Sequence, residues 1–155
     1  MSFGRSGHSL ILLAVTTFMG CATGNTAQQS TSASTMDTRA NEATLAQIYF
    51  WRAKPGKLEE YARYIRERAE PIDAEAQRSG AFVSVTTYMA SDTTVPWTHM
   101  RVFTLRDSTQ LRGLSDALAA AGVRLEPDSV KRRQQSEYSA TLRDRVGAVV
   151  VELVR

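Results

Sequence analysis

The sequence predicts an α+β fold: one four-stranded antiparallel sheet with helices on one of its faces. Three observations lead there. Four runs rich in aromatic and β-branched residues lie between residue 45 and the C-terminal end. Two long apolar stripes at three- and four-residue spacing are interleaved with them in the order β-α-β-β-α-β. The composition, 43% hydrophobic and 23% charged, is that of an ordinary globular chain and excludes a wholly disordered, collagen-like or disulfide-scaffold protein.

Each element follows from local residues. Leu45 to Arg52 is a strand by its content of Ile48, Tyr49, Phe50 and Trp51. Pro55-Gly56 marks a turn. Leu58, Tyr61, Ala62, Ile65, Ala69, Ile72 and Ala76 then form a helical stripe, which Pro71 should kink and Gly80 should end. Phe82 to Met89 alternates as a strand, and Trp97 to Leu105 as another. Asp107 with Gln110 has the spacing of a capping box before the second stripe: Leu111, Leu114, Ala117, Leu118 and Ala121, closed at Gly122. Glu126-Pro127-Asp128 is a break. Val130 to Asp144 reads as a weakly amphipathic helix, and the Val-rich stretch Gly147 to Val154 as the last strand. This is the ferredoxin-like order, in which the first strand lies between the third and fourth and the second pairs with the third.

Strand alternation gives two faces. Ile48, Phe50, Val83, Val85, Met100, Val102, Val149, Val151 and Leu153 make one, uniformly apolar and expected under the helices. Tyr49, Trp51, Ser84, Thr86, Tyr88, His99, Arg101, Phe103, Val150 and Glu152 make the other, too apolar to leave in water. Period-two alternation distinguishes the faces without fixing which one the helices cover. Helices on one face leave the other for a second copy, so a two-fold homodimer is expected.

The domain is preceded by two segments of different character. Arg5 is followed by an apolar run from Leu10 to Met19, too short to span a bilayer and sized for the core of a signal peptide. The run ends in Phe18-Met19-Gly20-Cys21, which resembles the bacterial lipoprotein signal. That resemblance implies cleavage of residues 1–20 and acylation of Cys21, the only cysteine in the chain. The alternative is an ordinary secretory signal cut after Ala22, giving a secreted protein. Residues 21 to 44 are rich in Ser, Thr, Gln and Ala. They cannot bury enough surface to offset the entropy of ordering them, and as a flexible tether they reach roughly 25–30 Å. The expected location is the cell envelope, facing the periplasm or the cell exterior, with residues 45–155 folded and held near a membrane by the lipid anchor.

The strand ending at Lys54-Pro55-Gly56-Lys57, followed by Leu58-Glu59-Glu60-Tyr61 entering a long helix with Pro71 and a closing Gly, resembles the dimeric α/β-barrel superfamily. The resemblance is to its NIPSNAP-like and antibiotic-biosynthesis-monooxygenase-like branches. It implies a homodimer whose two sheets close into a barrel. The superfamily includes cofactor-free oxygenases, isomerases and haem-handling proteins. Its catalytic residues do not carry over: the domain has no Asn after Asn41, and its one His lies on a strand rather than a helix.

The expected site is therefore a ligand pocket rather than a recognised catalytic constellation. His99, Arg101, Tyr49, Trp51 and Tyr88 are assigned to one side of the sheet: an imidazole, a guanidinium and aromatic walls. Arg101 alternatively pairs with Glu152 as a structural ion pair. The function expected is binding of a small aromatic or apolar molecule. The alternatives are a cofactor-independent monooxygenase or isomerase acting on a planar phenolic or lactone-like substrate, and a haem-handling protein using His99. No cofactor and no metal is expected, since the chain carries no His/Cys cluster, glycine-rich phosphate loop or nucleophile elbow. Nucleic acid is not an expected partner. The net charge is +3, and Lys131-Arg132-Arg133 is the one tight basic cluster of an exported chain.

Overall fold

In a computed structural model of the protein, residues 43–154 are described. The leader and Cys21 lie outside them, as does nearly all of the tether. The first strand, β1 (Leu45–Ala53), leads into a turn in which Lys57 N–H donates to Lys54 O at 2.9 Å and Gly56 has φ +73°. A type II turn demands that left-handed residue, which is why Pro-Gly stands there.

The long helix is broken into three pieces: α1 (Leu58–Tyr64), a π-helical turn (Ile65–Ala69) and α2 (Glu70–Arg78). Pro71 explains the widening. Its ring cannot tolerate the carbonyl four residues back and it has no N–H to offer. The turn before it relaxes so that Glu70 N–H donates to Ile65 O, five residues back. The predicted kink is thus an inserted residue. α2 ends in a Schellman motif, with Ala81 N–H on Ala76 O, Gly80 N–H on Gln77 O and Gly80 at φ +79°.

β2 (Ser84–Met89) and β3 (His99–Leu105) follow, then α3 (Ser108–Leu125), α4 (Ser129–Leu142) and β4 (Arg143–Glu152). Asp107 caps α3 by accepting from Thr109 N–H and Gln110 N–H. Gln110 does not close the expected reciprocal box. Its side chain accepts from Arg106 N–H and donates to Gly80 O, tying α3 to the end of α2. α3 runs through Gly122 and stops at Leu125, because Pro127 forces Glu126 into the extended region. β4 begins four residues earlier than the sequence suggests, directly from the last turn of α4.

The sheet order is β2-β3-β1-β4, all antiparallel, as expected. With helices on one side, this is a ferredoxin-like α+β domain. The faces, however, are reversed from the expected assignment. Leu45, Tyr49, Phe103 and Leu105 face the helices, with Phe82, Ala76, Leu114 and Ala121 in one core cluster; Ala53, Tyr61, Ile65 and Leu142 form a second. Leu45 and Leu105 share parity with His99 and Arg101, and together with Phe103 they make that face apolar enough to be the core.

The strand pairing of β2 also differs from expectation. Val85 stands opposite Phe103 and Tyr88 opposite Met100. Val85 therefore joins the core, while Ser84, Thr86 and Tyr88 lie on the open face with Ile48, Phe50, Met100, Val102, Val149 and Val151.

Candidate functional site

The seam between the two core clusters holds a cavity of about 150 Å³. Ile65, Ala69, Ile72 and Leu118 supply apolar wall; Tyr61, Tyr64, Asp73, Arg101 and Arg143 supply the polar groups. It lies between sheet and helices, not on the open face.

Three local devices aim the polar side chains. The π turn inserts one residue and so rotates everything downstream by about 100°. That rotation brings Asp73 into line with Tyr61 and Ile65 on the buried face. On β3, His99 and Arg101 share the helix side by alternation. On β4, the pairing with β1 slips between Phe50 and Trp51, so that Trp51 stands opposite Arg145 and Ala53 opposite Arg143. Without that bulge Arg143 would point to the open face.

Asp73 and Arg101 form a buried ion pair, their side chains 5% and 12% exposed. Burial pushes the Asp73 carboxyl up from 3.8 to about 6, a rise that the Arg101 guanidinium only partly offsets. Arg101 also lies over the Phe103 ring, and its Nε is buried without a partner. Arg143 stacks on Trp51 at 3.5 Å from the ring centroid. It donates through Nε to Ser139 Oγ at 3.0 Å and through Nη1 to the Tyr61 hydroxyl at 3.4 Å. Burial raises the Tyr61 hydroxyl above its ordinary range.

Of the five residues assigned to the ligand pocket, only Arg101 lines the cavity. His99 is buried behind Tyr61, ring to ring at 4.6 Å. Its Nδ1 lies 3.0 Å from Thr98 Oγ1, its Nε2 has no partner among the described residues, and burial pushes its pKa down by disfavouring the charged imidazolium. Trp51 is the platform beneath Arg143. Tyr49 packs edge-on against Phe103 in the main core, with Arg145 over its ring. Tyr88 is exposed on the open face, across the sheet from the other four, because β2 aligns it with Met100. Arg101 pairs with Asp73 and not with Glu152, which stands opposite Leu45 at the far end of the sheet.

Tyr61, Asp73 and Arg143 were not expected at the site. Asp73 carried a legible signal, a carboxylate two residues after a proline within an apolar stripe. Arg143 carried none, since the sequence placed it on a helix. A haem does not fit around His99. The Tyr61 ring covers the imidazole, and the cavity is well below the ~300 Å³ at which cofactor sites begin. Among the described residues, no group of three or more His, Cys, Asp or Glu converges as a metal site.

The domain is similar in backbone to HapK from Hahella chejuensis, at 11% identity and TM-score 0.49, over 71% of this chain and 92% of that one. It is also similar to PA3566 from Pseudomonas aeruginosa, at 18% identity and TM-score 0.43, over 73% and 94%. No protein-family model matches the chain, and no curated protein matches it.

Proposed function

We propose that this chain is an exported small-molecule-binding protein, a homodimer whose ligand enters the cavity between helix layer and sheet. The observation that carries the reading is the cavity itself. It is lined by four apolar side chains together with two guanidinium groups, two tyrosines and a carboxyl. Apolar wall with a few convergent polar groups in one concave pocket is the mark of a binding site. The dimer is supported by the open sheet face, where Ile48, Phe50, Met100, Val102, Val149 and Val151 lie together, with Tyr88 and Val149 substantially exposed. Anchoring through an acylated Cys21 rests on Gly20-Cys21 at the end of the apolar run, and the NIPSNAP-like α/β-barrel reading on Lys54-Pro55-Gly56-Lys57 entering the long helix.

A second reading is a proton-transfer enzyme of the isomerase class. It is favoured by one observation: Asp73 lines the cavity with a carboxyl raised to about 6, near the pH at which it would exchange protons. No residue at the cavity favours the oxygenase.

The binding reading is tested by filling the void. Ala69→Leu adds side-chain volume where Ala69 lines the cavity. It should leave the melting temperature of the free protein within a few degrees, yet abolish the upward shift that millimolar benzoate or benzyl alcohol gives the wild type. A wild type that neither compound shifts would refute the reading.

A further inference from the structure

The cavity has a neighbour across Arg143. A second, open groove of about 450 Å³ adjoins it and shares Tyr64, Ile72, Leu118 and Arg143 as common wall. Beyond this neck of shared residues, Ala119, Gly122 and Val123 on α3 form an apolar side, and Arg132, Gln135, Ser136 and Ser139 on α4 a polar one. We propose that cavity and groove are one site for an amphiphilic monoanion, a small carboxylate whose head is held at the neck by Arg143 and Tyr61 and whose apolar body lies along α3. This rests on the binding reading and names its ligand class.

The charge distribution carries the argument. Arg101 already has a carboxylate, Asp73, whereas among the described residues no carboxylate forms an ion pair with Arg143. Arg143 instead is fixed by Trp51 beneath it and by Ser139 and Tyr61 beside it, and among the described residues its Nη2 has no hydrogen bond. A guanidinium held flat on an aromatic ring and backed by a neutral hydroxyl offers a carboxylate a preorganised charge-assisted bond. With Asp73 ionised it balances Arg101, which leaves the Arg143 guanidinium as the charge at the neck, a match for one carboxylate; Arg132, on the α4 side of the groove, donates to Glu126 O and Pro127 O. The apolar strip Ile72, Leu118, Ala119 and Val123 then runs outward from the neck along helix faces. This suits a hydrocarbon body, since Val123 is otherwise 46% exposed on a helix.

The test uses the purified protein and the series acetate, butyrate, hexanoate, with 1-hexanol as the neutral counterpart, followed by calorimetry. Hexanoate should bind at least tenfold more tightly than 1-hexanol, and affinity should rise about threefold per methylene along the series. Arg143→Met should erase the preference for hexanoate over 1-hexanol while leaving the 1-hexanol affinity within twofold. Ala119→Glu, on the exposed side of α3, should weaken hexanoate tenfold and leave acetate unchanged, so the test survives an Arg143 variant that fails to fold. Hexanol binding as tightly as hexanoate, or a preference that persists in Arg143→Met, overturns the proposal and leaves the cavity reading standing. If no member of the series binds, this proposal is overturned; whether the cavity reading falls with it is decided by benzoate and benzyl alcohol.

Discussion

Replacing Arg101 with Met removes the cation paired with Asp73 while keeping an unbranched side chain near Phe103. Both side chains of the pair are nearly dry, so the variant strands a buried carboxylate. Breaking such a pair from one side costs about 3–5 kcal/mol. The cost depends on pH, and its sign follows from Asp73. In the folded protein this carboxyl holds its proton up to about 6, against an ordinary 3.8. Its stabilising contribution is therefore complete below 3.8 and is lost as pH rises through 6, a loss of about 3 kcal/mol already present in the wild type. Without Arg101 the carboxyl holds its proton to still higher pH. At pH 8 Arg101→Met should then show the full 3–5 kcal/mol deficit in urea unfolding. At pH 5 Asp73 is neutral, and the deficit should fall to the ~1–2 kcal/mol of lost hydrogen bonding. The double variant Arg101→Met/Asp73→Leu should recover most of the pH 8 loss. Equal deficits at both pH values, or a double variant no more stable than the single one, would refute the reasoning.

Three further outcomes are expected. Hexanoate affinity should rise several-fold in calorimetry between pH 8 and pH 5.5, with a midpoint near 6, because protonating Asp73 removes a negative charge from the cavity wall. The groups around Asp73 are Arg101 on β3, Arg143 at the α4–β4 junction, Tyr61 on α1, whose hydroxyl burial holds above its ordinary range, His99, whose charged form burial disfavours, and exposed Glu70 on its own helix. Asp107→Ala should cost about 1 kcal/mol in urea unfolding, since Asp107 Oδ1 accepts two N–H groups of the first turn of α3. Mass spectrometry of the mature amino terminus should find acylated Cys21; an unmodified chain starting at Thr23 would return the protein to the secreted class.

The element order was legible because each boundary had a chemical mark: Pro55-Gly56, Gly80, Asp107 and Pro127 each stand where a turn or cap needs them. The grouping of Tyr49, Trp51, His99 and Arg101 was legible too, because alternation within a strand admits one answer and β1 and β3 pair without a slip. Alignment between strands is a different quantity. Val85, Thr87 and Met89 share a face by alternation, yet nothing in β2 itself says that this face meets Phe103 rather than Val102. That choice, made by packing, moved Tyr88 away from the site. The remaining site residues depend on irregularities. Asp73 reaches the cavity through one extra residue in a π turn, and Arg143 through a bulge in β4. Each irregularity reverses or rotates the side chains downstream of it, and neither leaves a periodic trace. Pro71 was the one sign of the first, read as a kink when it called for a wider turn.

The account stands on the ligand lying between helices and sheet, leaving the open face to the dimer. Methyl-resolved NMR during a hexanoate titration tests this most directly. The account predicts shift changes at Ala69, Ile72, Leu118 and Val123, with Ile48, Val102 and Val149 unmoved. Changes confined to Ile48, Val102 and Val149 would place the ligand on the open sheet face and contradict it.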